Sequence, residues 1–380
     1  MHNRYRREGG EDAVVRAEAS LLRDAGHEVV RLEDENPRSQ AGAALKLARA
    51  PWNARAAQMV RTVAEHHRPD VAHVHNTWFA LTPAVLTALR QARVPVVMTL
   101  HNYRLLCANA HLFRDGRPCE LCVGSHPWHG VVHRCYNHSA LTSIPAAATI
   151  ALNRRRGTWT DDVQVFLALT EFARDRFVAG GLPPGRIDVR PHFVADPGPR
   201  AQPPSAGDYL LYVGRLGAEK GVGTVVDAAT RLGDVDLVVA GDGDDRAELE
   251  ARAGPRVRFV GHVTPGEVQR LMLGARALVF PSMSYEAFGL VLVEAMAAGL
   301  PVLASDLGGT PDLVGAHAGL LLPPGDTDAW TAAFRLDEAF LDAAGRAGRE
   351  QWAARFSTEV ALAAQEKAYL KAIGRAAMVG

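Results

Sequence analysis

Short apolar runs alternate with longer stretches of helical periodicity along most of the chain. In the first half the apolar runs cover residues 27–32, 71–75, 94–100 and 163–169. In the second half they cover residues 209–213, 235–240, 256–260, 277–280, 301–304 and 319–322. Between the runs apolar residues recur at helical spacing, as Val15, Ala19 and Leu22 do within residues 12–24. Strands that alternate with helices pair in parallel. The pattern therefore predicts two α/β domains, the second with a six-stranded sheet.

A proline-rich segment without apolar periodicity separates the two halves. It covers residues 191–207 and predicts a linker between a domain of residues 1–190 and a domain of residues 208–355. A glycine-rich turn at Gly9 and Gly10 opens the first domain. In a doubly wound domain such a turn directly follows a strand. Few residues precede it here, so either the start of the chain is placed too late or the first domain lacks a strand that would normally lie near the centre of its sheet.

The charge balance excludes several functional classes. The 380 residues include 42 Lys and Arg against 42 Asp and Glu, so the formal charge is zero. Nucleic-acid binding needs a basic excess, and we expect no such partner. No apolar run is long enough to span a bilayer. The polar N-terminal residues do not resemble a signal peptide, so we expect a cytoplasmic protein.

Glycines and polar residues follow five consecutive strands of the predicted second sheet. These residues are Gly214, Arg215, Lys220, Gly241, Asp242, Gly243, Gly261, His262, Ser282, Tyr285, Glu286, Gly289, Ser305, Asp306, Gly308 and Gly309. The carboxyl ends of parallel strands meet at one edge of the sheet, where ligands bind. Five ordinary tight turns are a poorer explanation than one shared binding crevice.

Two cations and two carboxylates give this crevice its chemistry. Arg215 and Lys220 suit a diphosphate, and Gly289 opens a predicted helix over residues 290–298 whose first amides are free. Glu286 and Glu294 are eight residues apart on one side of the crevice, unlike the facing pair of a glycoside hydrolase. We interpret them as separate acceptors for the hydroxyls of a ribose and a sugar.

Four motifs of the second half resemble the retaining glycosyltransferases of family 4. They occupy residues 212–221, 240–243, 259–262 and 286–294, in the order found in that family. Residues 2–12 and 99–103 resemble the branch that glycosylates bacterial polysaccharides and natural products. The resemblance implies the α/β GT-B fold, with two Rossmann-like doubly wound parallel-sheet domains facing a central cleft. It also implies that residues 356–380 form a helix that crosses back to the first domain.

The implied function is transfer of a sugar, with retention and without a catalytic metal, from a nucleotide-diphosphate sugar to a hydroxyl acceptor. UDP and GDP sugars are the expected donors, and peripheral contact with a membrane stays open. One alternative is a nucleotide-sugar epimerase of the same fold. The other is a nucleotide-sugar-binding protein without turnover.

The resemblance also assigns roles to individual residues. The implied catalytic residues are His101, Arg215, Lys220 and Glu286. The implied donor-binding residues are Gly9, Gly10, Gly214, Gly241, Gly243, His262, Val263, Phe288, Gly289, Leu290 and Glu294. The implied acceptor-binding residues are Glu11, Asp12, His75, Asn102 and Tyr103. Without the resemblance, a histidine at the end of a buried strand is more often structural.

All four cysteines fall within one short stretch. Cys107, Cys119, Cys122 and Cys135 belong to an expected insertion over residues 104–138, which has little core-forming pattern. Four thiolates at this spacing suit a structural zinc ion, and free buried thiols or a redox pair are the alternatives. We expect zinc here and an influence on the acceptor side.

Overall fold

The computed structural model describes residues 1–4, 9–35, 47 and 49–378. The chain divides into two compact units. The first contains Met1–Leu112, Glu120–Arg190 and Leu362–Gly380, and the second contains Phe113–Cys119 and Pro191–Ala361. Among the described residues, no helix combines the length and the apolar character needed to cross a bilayer.

The first unit is built on parallel strands. Its strands are β1 His2–Arg4, β2 Glu33–Glu35, β3 Ala72–Val74, β4 Val96–Thr99, β7 Val165–Ala168 and β8 Ile187–Val189. Its helices are α1 Gly10–Asp24, α2 Ala54–His67, α3 Ala84–Gln91, α4 His129–Val132, α5 Ala140–Arg155, α6 Thr158–Asp161 and α7 Glu171–Ala179. Strands β3, β4, β7 and β8 form one sheet in the order β3-β4-β7-β8, while β1 and β2 form a separate parallel pair. A hairpin of β5 Phe113–Arg114 and β6 Arg117–Pro118 lies in the part of the chain that groups with the second unit.

The strand predicted over residues 27–32 is wrong. The ladder with β1 begins only at Glu33, because β1 reaches from His2 to Arg4 and pairs with Glu33–Glu35. One further bridge joins His2 to Asn76, at the end of β3. The pattern also missed β8, a three-residue strand that pairs with β7.

The predicted six-stranded sheet of the second unit is confirmed. Its strands are β9 Tyr209–Val213, β10 Leu237–Ala240, β11 Val257–Gly261, β12 Ala275–Phe280, β13 Val302–Ser305 and β14 Gly319–Leu322. They pair in parallel in the order β11-β10-β9-β12-β13-β14. The helices are α8 Val222–Leu232, α9 Arg246–Arg252, α10 Pro265–Gly274, α11 Leu290–Ala297, α12 Thr310–Val314, α13 Thr327–Ala333 and α14 Glu338–Arg355.

Helix α11 is apolar on most of its surface because it is enclosed by the core of the second unit. Leu292, Val293, Ala295 and Met296 are all buried, and they pack in one cluster with residues of β12 and β13. Burial on several sides fixes the position of this helix. Its N-terminus is therefore a rigid part of the unit.

The last helix, α15, runs from Thr358 to Ala377. Its residues from Leu362 onward belong to the first unit. There Ala368 and Ala372 pack against a cluster that contains Val97 of β4 and Val165 of β7. The helix thus completes the core of a unit whose other elements precede residue 191.

Candidate functional site

The loops after β9, β10 and β11 lie in direct backbone contact. The Gly214 amide donates to Ala240 O at 3.0 Å, and the Gly241 amide donates to Gly261 O at 2.8 Å. A Cβ atom at Gly241, where φ is +145°, would lie 1.8 Å from Gly214 O. Only glycine fits such an approach. The structure therefore brings together three of the five strand ends that the sequence singled out.

The loops after β9 and β12 meet in the same way. A Cβ atom at Gly221 would lie 2.1 Å from Pro281 O, and the Met283 amide donates to Glu219 O at 2.9 Å. This contact places Lys220 beside Glu286. Lys220 Nζ donates to Glu286 Oε1 at 2.7 Å. The predicted phosphate-binding cation and the predicted sugar-binding carboxylate are therefore paired.

Glu286 is held from a second direction by the chain around it. Ser282 Oγ donates to the same Oε1 atom at 2.8 Å, and both carboxylate and ammonium are largely buried. Arg215 is more open, with 57% of its side chain exposed, and it pairs with Glu219. Each predicted cation is thus paired with a nearby carboxylate.

Helix α11 begins at Leu290 with Gly289 as its N-cap. Gly289 has no side chain to accept hydrogen bonds from the first amides, so the helix begins without a side-chain cap. Glu294 lies four residues after the first residue of this helix. Burial raises the pKa of its carboxyl group. No hydrogen bond or ion pair of that carboxyl group occurs within the part of the chain that the structure describes. An unpartnered carboxylate of this kind suits a ligand that donates hydroxyl hydrogens.

The remaining predicted donor residues belong partly to the second unit and partly to the first. A Cβ atom at Gly243 would lie 2.1 Å from Leu216 O, which again requires a glycine. The Phe288 ring packs edge-on against His192, with centroids 5.0 Å apart. His262 is exposed, and Val263 is packed against the core. In the first unit, Gly9 and Gly10 are exposed at the start of α1, with open space where a Cβ atom would stand.

A buried cluster of histidines occupies the first unit. His75 Nδ1 and His101 Nε2 are 3.0 Å apart, and His73 Nε2 lies 2.8 Å from Thr99 Oγ1. The other nitrogen of His73 lies 3.0 Å from Tyr369 Oη, on helix α15. Because each ring shares a proton with a neighbour, these histidines position one another.

The histidines of this cluster are neutral at pH 7. Burial lowers the pKa of His101 to about 3, with smaller contributions from His2 and Arg190. Burial also holds the pKa values of His73 and His75 well below their usual range. A neutral ring exchanges hydrogen bonds but carries no charge. His101 is therefore unsuited to stabilise an anion as an imidazolium.

Several predicted acceptor-binding residues are engaged within the first unit. Asp12 is buried, lies 2.8 Å from His2 Nε2 and accepts from the Gly9 amide at 3.0 Å. Tyr103 is also buried, with its ring stacked on Phe177. Asn102 accepts from the Arg104 amide at 3.0 Å.

His75 is buried in the same way, while Glu11 is half-buried with its carboxylate 3.7 Å from His2 Nδ1. Of the five predicted acceptor residues, three are thus buried within this unit. Their ring and carboxylate contacts stabilise α1 and the strand ends around His101.

Two residues of the cluster escaped the sequence analysis. Glu18 and Arg190 form a buried ion pair, and Glu18 Oε2 also lies 3.5 Å from His75 Nε2. Glu18 stands on the buried face of α1 beside Val14, Val15 and Leu22. The signal for Glu18 in the sequence is a carboxylate at a helix position whose neighbours at helical spacing are apolar.

Glu18, His73 and His75 are the group within the described residues whose ligand atoms lie close enough together to hold a metal ion. The single charge of Glu18 is already balanced by Arg190. A divalent cation there would leave two buried positive charges without compensation. We therefore interpret the cluster as a hydrogen-bond network.

The expected zinc site is not formed by the four cysteines. No three of their sulfurs, alone or with nearby histidines, converge among the described residues. Cys107 Sγ instead lies 2.9 Å from Asn109 Oδ1, and Cys122 lies near Pro127 O. None of the four cysteines, all of which the structure describes, forms a disulfide. The residues do not fit a tetrahedral ion.

A cavity of about 340 Å³ opens in the first unit beside the histidine cluster. Its lining includes Met1, Val15, Glu18, Val60 and His73. None of the predicted donor-binding residues contributes to it.

Two family models match the chain on either side of the predicted linker. Residues 9–196 match the model described as Glycosyltransferase Family 4, and residues 207–336 match Glycosyl transferases group 1. A glycogen synthase of Mycobacterium tuberculosis is 30% identical over 80% of this chain and 69% of its own length. The chain belongs to glycosyltransferase family 4.

Other similarities extend over most of this family 4 glycosyltransferase. A phosphatidyl-myo-inositol mannosyltransferase of Mycolicibacterium smegmatis is 27% identical over 86% of this chain and 80% of its own length. The crystal structure of Anabaena HepE in complex with UDP and glucose has a TM-score of 0.66 at 17% identity, covering 96% of this chain and 98% of HepE. The shared fold is GT-B, as the motifs implied. The protein is a glycosyltransferase that uses a nucleotide-sugar donor.

The neutral histidines predict how the stability of this glycosyltransferase depends on pH. Their pKa values are lower in the folded protein than the usual 6.5, so the unfolded chain binds more protons below that pH. The free energy of unfolding should therefore fall as the pH decreases from about 6.5. Thermal unfolding midpoints between pH 7.5 and 5 measure this, and His75→Asn should reduce the slope. The exposed His317→Asn is the matched control. A midpoint that stays constant or rises on acidification contradicts the prediction.

Proposed function

We propose that this enzyme transfers a glycosyl group with retention of configuration, using its own cations in place of a metal ion at the donor diphosphate. The observation that carries the proposal is the pairing of Lys220 Nζ with Glu286 Oε1 at 2.7 Å. This pair joins a phosphate-binding charge to a hydroxyl-binding carboxylate. Such an arrangement suits a sugar attached directly to a diphosphate.

Donor binding would rearrange the two ion pairs. The diphosphate offers Arg215 and Lys220 a stronger partner than the single carboxylates of Glu219 and Glu286. Glu286 would then accept hydrogen bonds from the donor sugar while Ser282 keeps it in place. Glu294, whose carboxyl group has no partner among the residues that the structure describes, would accept the ribose hydroxyls.

The proposed reaction breaks the bond between the anomeric carbon and the diphosphate oxygen. A new bond forms from the acceptor oxygen to the same face of that carbon, and the acceptor proton passes to the leaving diphosphate. Negative charge develops on the leaving oxygen as the bond breaks. The cations Arg215 and Lys220 would stabilise that charge, together with the uncapped amides at the start of α11.

His101 takes part in this proposal as a neutral group. With a pKa of about 3, its ring can hold a sugar hydroxyl or a carbonyl through hydrogen bonds alone. His75 fixes the orientation of that ring through Nδ1. Gly9 and Gly10 keep their predicted role as amides that approach the donor.

A product assay separates this proposal from the two alternatives. The enzyme is incubated with UDP-glucose or GDP-mannose, with and without a panel of hydroxyl acceptors, and the products are examined by NMR. UDP sugars come first because HepE binds UDP and glucose. A retaining transferase yields a glycoside with the donor's anomeric configuration, and only when an acceptor is present. Epimerised donor without acceptor indicates an epimerase, and binding without products indicates a non-catalytic protein.

The phosphate-binding role of Arg215 gives a first prediction. Replacing it with Ala should weaken binding of the nucleoside diphosphate by about 1.5–3 kcal/mol, because a charge-assisted pair is lost. Isothermal titration calorimetry measures the change, and EDTA should leave the affinity unaltered. Arg231→Ala, which removes an exposed ion pair with Asp328, is the matched control. Unchanged affinity in Arg215→Ala, or loss of binding in EDTA, argues against the proposal.

The two carboxylates should differ in what they contribute. Glu294→Gln should weaken binding of the bare nucleotide, whereas Glu286→Gln should spare it and lower kcat with the full donor, because a sugar contact strengthens toward the transition state. The pKa of Glu294 is raised above 4.5. Nucleotide affinity should therefore decrease as the pH falls through that pKa, and Glu294→Gln should remove this dependence. Equal effects of both substitutions on bare nucleotide affinity contradict the assignment.

A further inference from the structure

Five large apolar side chains are exposed on a single segment of the first unit. They are Leu121, Trp128, Val132, Leu141 and Ile144, and we call them the apolar face. Leu141 is 80% exposed and Val132 is 74% exposed. Single exposed apolar residues are common on protein surfaces, but five within residues 121–144 are an unusual concentration.

Helix α5 shows why this exposure is unusual. Ser143, Ala146, Ala147 and Ile150 form its buried face. The opposite stripe, at helical spacing, contains Leu141, Ile144, Ala148 and Leu152 and ends at Arg155. A surface helix normally carries polar residues on its outer stripe. Here the outer stripe is apolar.

The short helix α4 presents its apolar residue in the same manner. It packs inward through Gly130, where a Cβ atom would lie 2.7 Å from the Ala108 side chain. Val132 points away from that contact and is exposed. Helices α4 and α5 pack against each other, and the Tyr136 amide between them donates to Ser143 Oγ at 3.0 Å. Both helices therefore belong to one local structure.

The charge of this segment is one-sided although the chain as a whole is neutral. Residues 121–160 contain no Asp or Glu, and their arginines are Arg134, Arg154, Arg155 and Arg156. Arg134 and Arg155 are exposed. Basic residues beside exposed apolar side chains match a lipid surface that carries negative charge.

We propose that the apolar face binds the interface of an anionic membrane. Its apolar side chains would enter the boundary between headgroups and acyl chains, and Trp128 suits that boundary because its ring is amphipathic. Arg134 and Arg155 would lie among the anionic headgroups. A second copy of the chain is a poorer occupant, because a symmetric contact would bring the same basic residues together.

Membrane binding by the apolar face also limits the chemical class of the acceptor, and this inference rests on the proposed function. The face lies on the segment that follows the strand end at His101, on the unit to which the acceptor-binding residues were assigned. A glycosyltransferase held at a membrane through this unit would act on a hydroxyl carried by a lipid.

Vesicle binding tests whether the apolar face binds a membrane, independently of catalytic activity. The full chain is mixed with vesicles of phosphatidylcholine, with or without phosphatidylglycerol, and separated by flotation. We expect binding to the anionic vesicles that weakens as salt is added, with a blue shift of Trp fluorescence that Trp128→Phe abolishes. The triple variant Val132→Gln, Leu141→Gln, Ile144→Gln should bind at least about tenfold more weakly. Arg134→Gln with Arg155→Gln should remove the preference for anionic vesicles.

Leu370→Gln is the matched control, because Leu370 is 71% exposed on α15 of the same unit. It should bind vesicles like the wild type. The proposal is overturned if the wild type does not bind anionic vesicles at low salt, or if the triple variant binds as well as the control. It is also overturned if the wild type is a dimer that the triple variant dissociates and neither binds vesicles. If the enzyme binds vesicles but yields no glycoside, the proposed function is contradicted, but membrane binding by the apolar face is not.

Discussion

The backbone contact between the loops after β9 and β10 determines what the second unit can bind. With Gly241 placed so that a Cβ atom would meet Gly214 O at 1.8 Å, no side chain can separate the two loops. The same exclusion acts at Gly221 against Pro281 and at Gly243 against Leu216. Polar groups from distant parts of the sequence are therefore confined to one strand edge, where Lys220 and Glu286 meet. A larger residue at any of these positions would move a loop rather than remove a contact.

The first unit depends on a different constraint, which is the free-energy cost of burying a charged group. Arg190 and Glu18 are buried as a pair, so each compensates the other. The histidines around them stay neutral because burial disfavours a further positive charge. Hydrogen bonds then fix their orientation, including that of His101. The first unit thus contains a preorganised neutral cluster, whereas the second unit presents the ion pairs Lys220–Glu286 and Arg215–Glu219.

The sequence predicted the second unit well because the inner strands β10, β12 and β13 are almost entirely buried and glycines follow several of the strands. The six strand positions and the residues at their ends followed from that pattern. The prediction from the sequence failed where an apolar run does not pair with a neighbouring strand. Residues 27–32 are apolar enough for a strand but lie outside the ladder that β1 forms with Glu33–Glu35.

Spacing along the chain was also a weak guide to distance in space. The four cysteines are close in sequence, yet turns and separate packing contacts direct their sulfurs to different surroundings. Glu18 and Arg190 are 172 residues apart and pair directly. Tyr103 is next to a strand end but belongs to the core, because its ring stacks on Phe177. Such long-range pairings could be read only from the folded chain.

Helix α15 has a consequence for biosynthesis. After Arg190 the chain returns to the first unit only at Leu362, so most of the second unit is inserted within the first. Ala368 and Ala372 close the cluster around Val97 and Val165, and a ribosome adds them only after the second unit. Domains generally fold in the order in which they emerge. In this chain the unit that is synthesised first must keep part of its apolar sheet open until the second unit has been made.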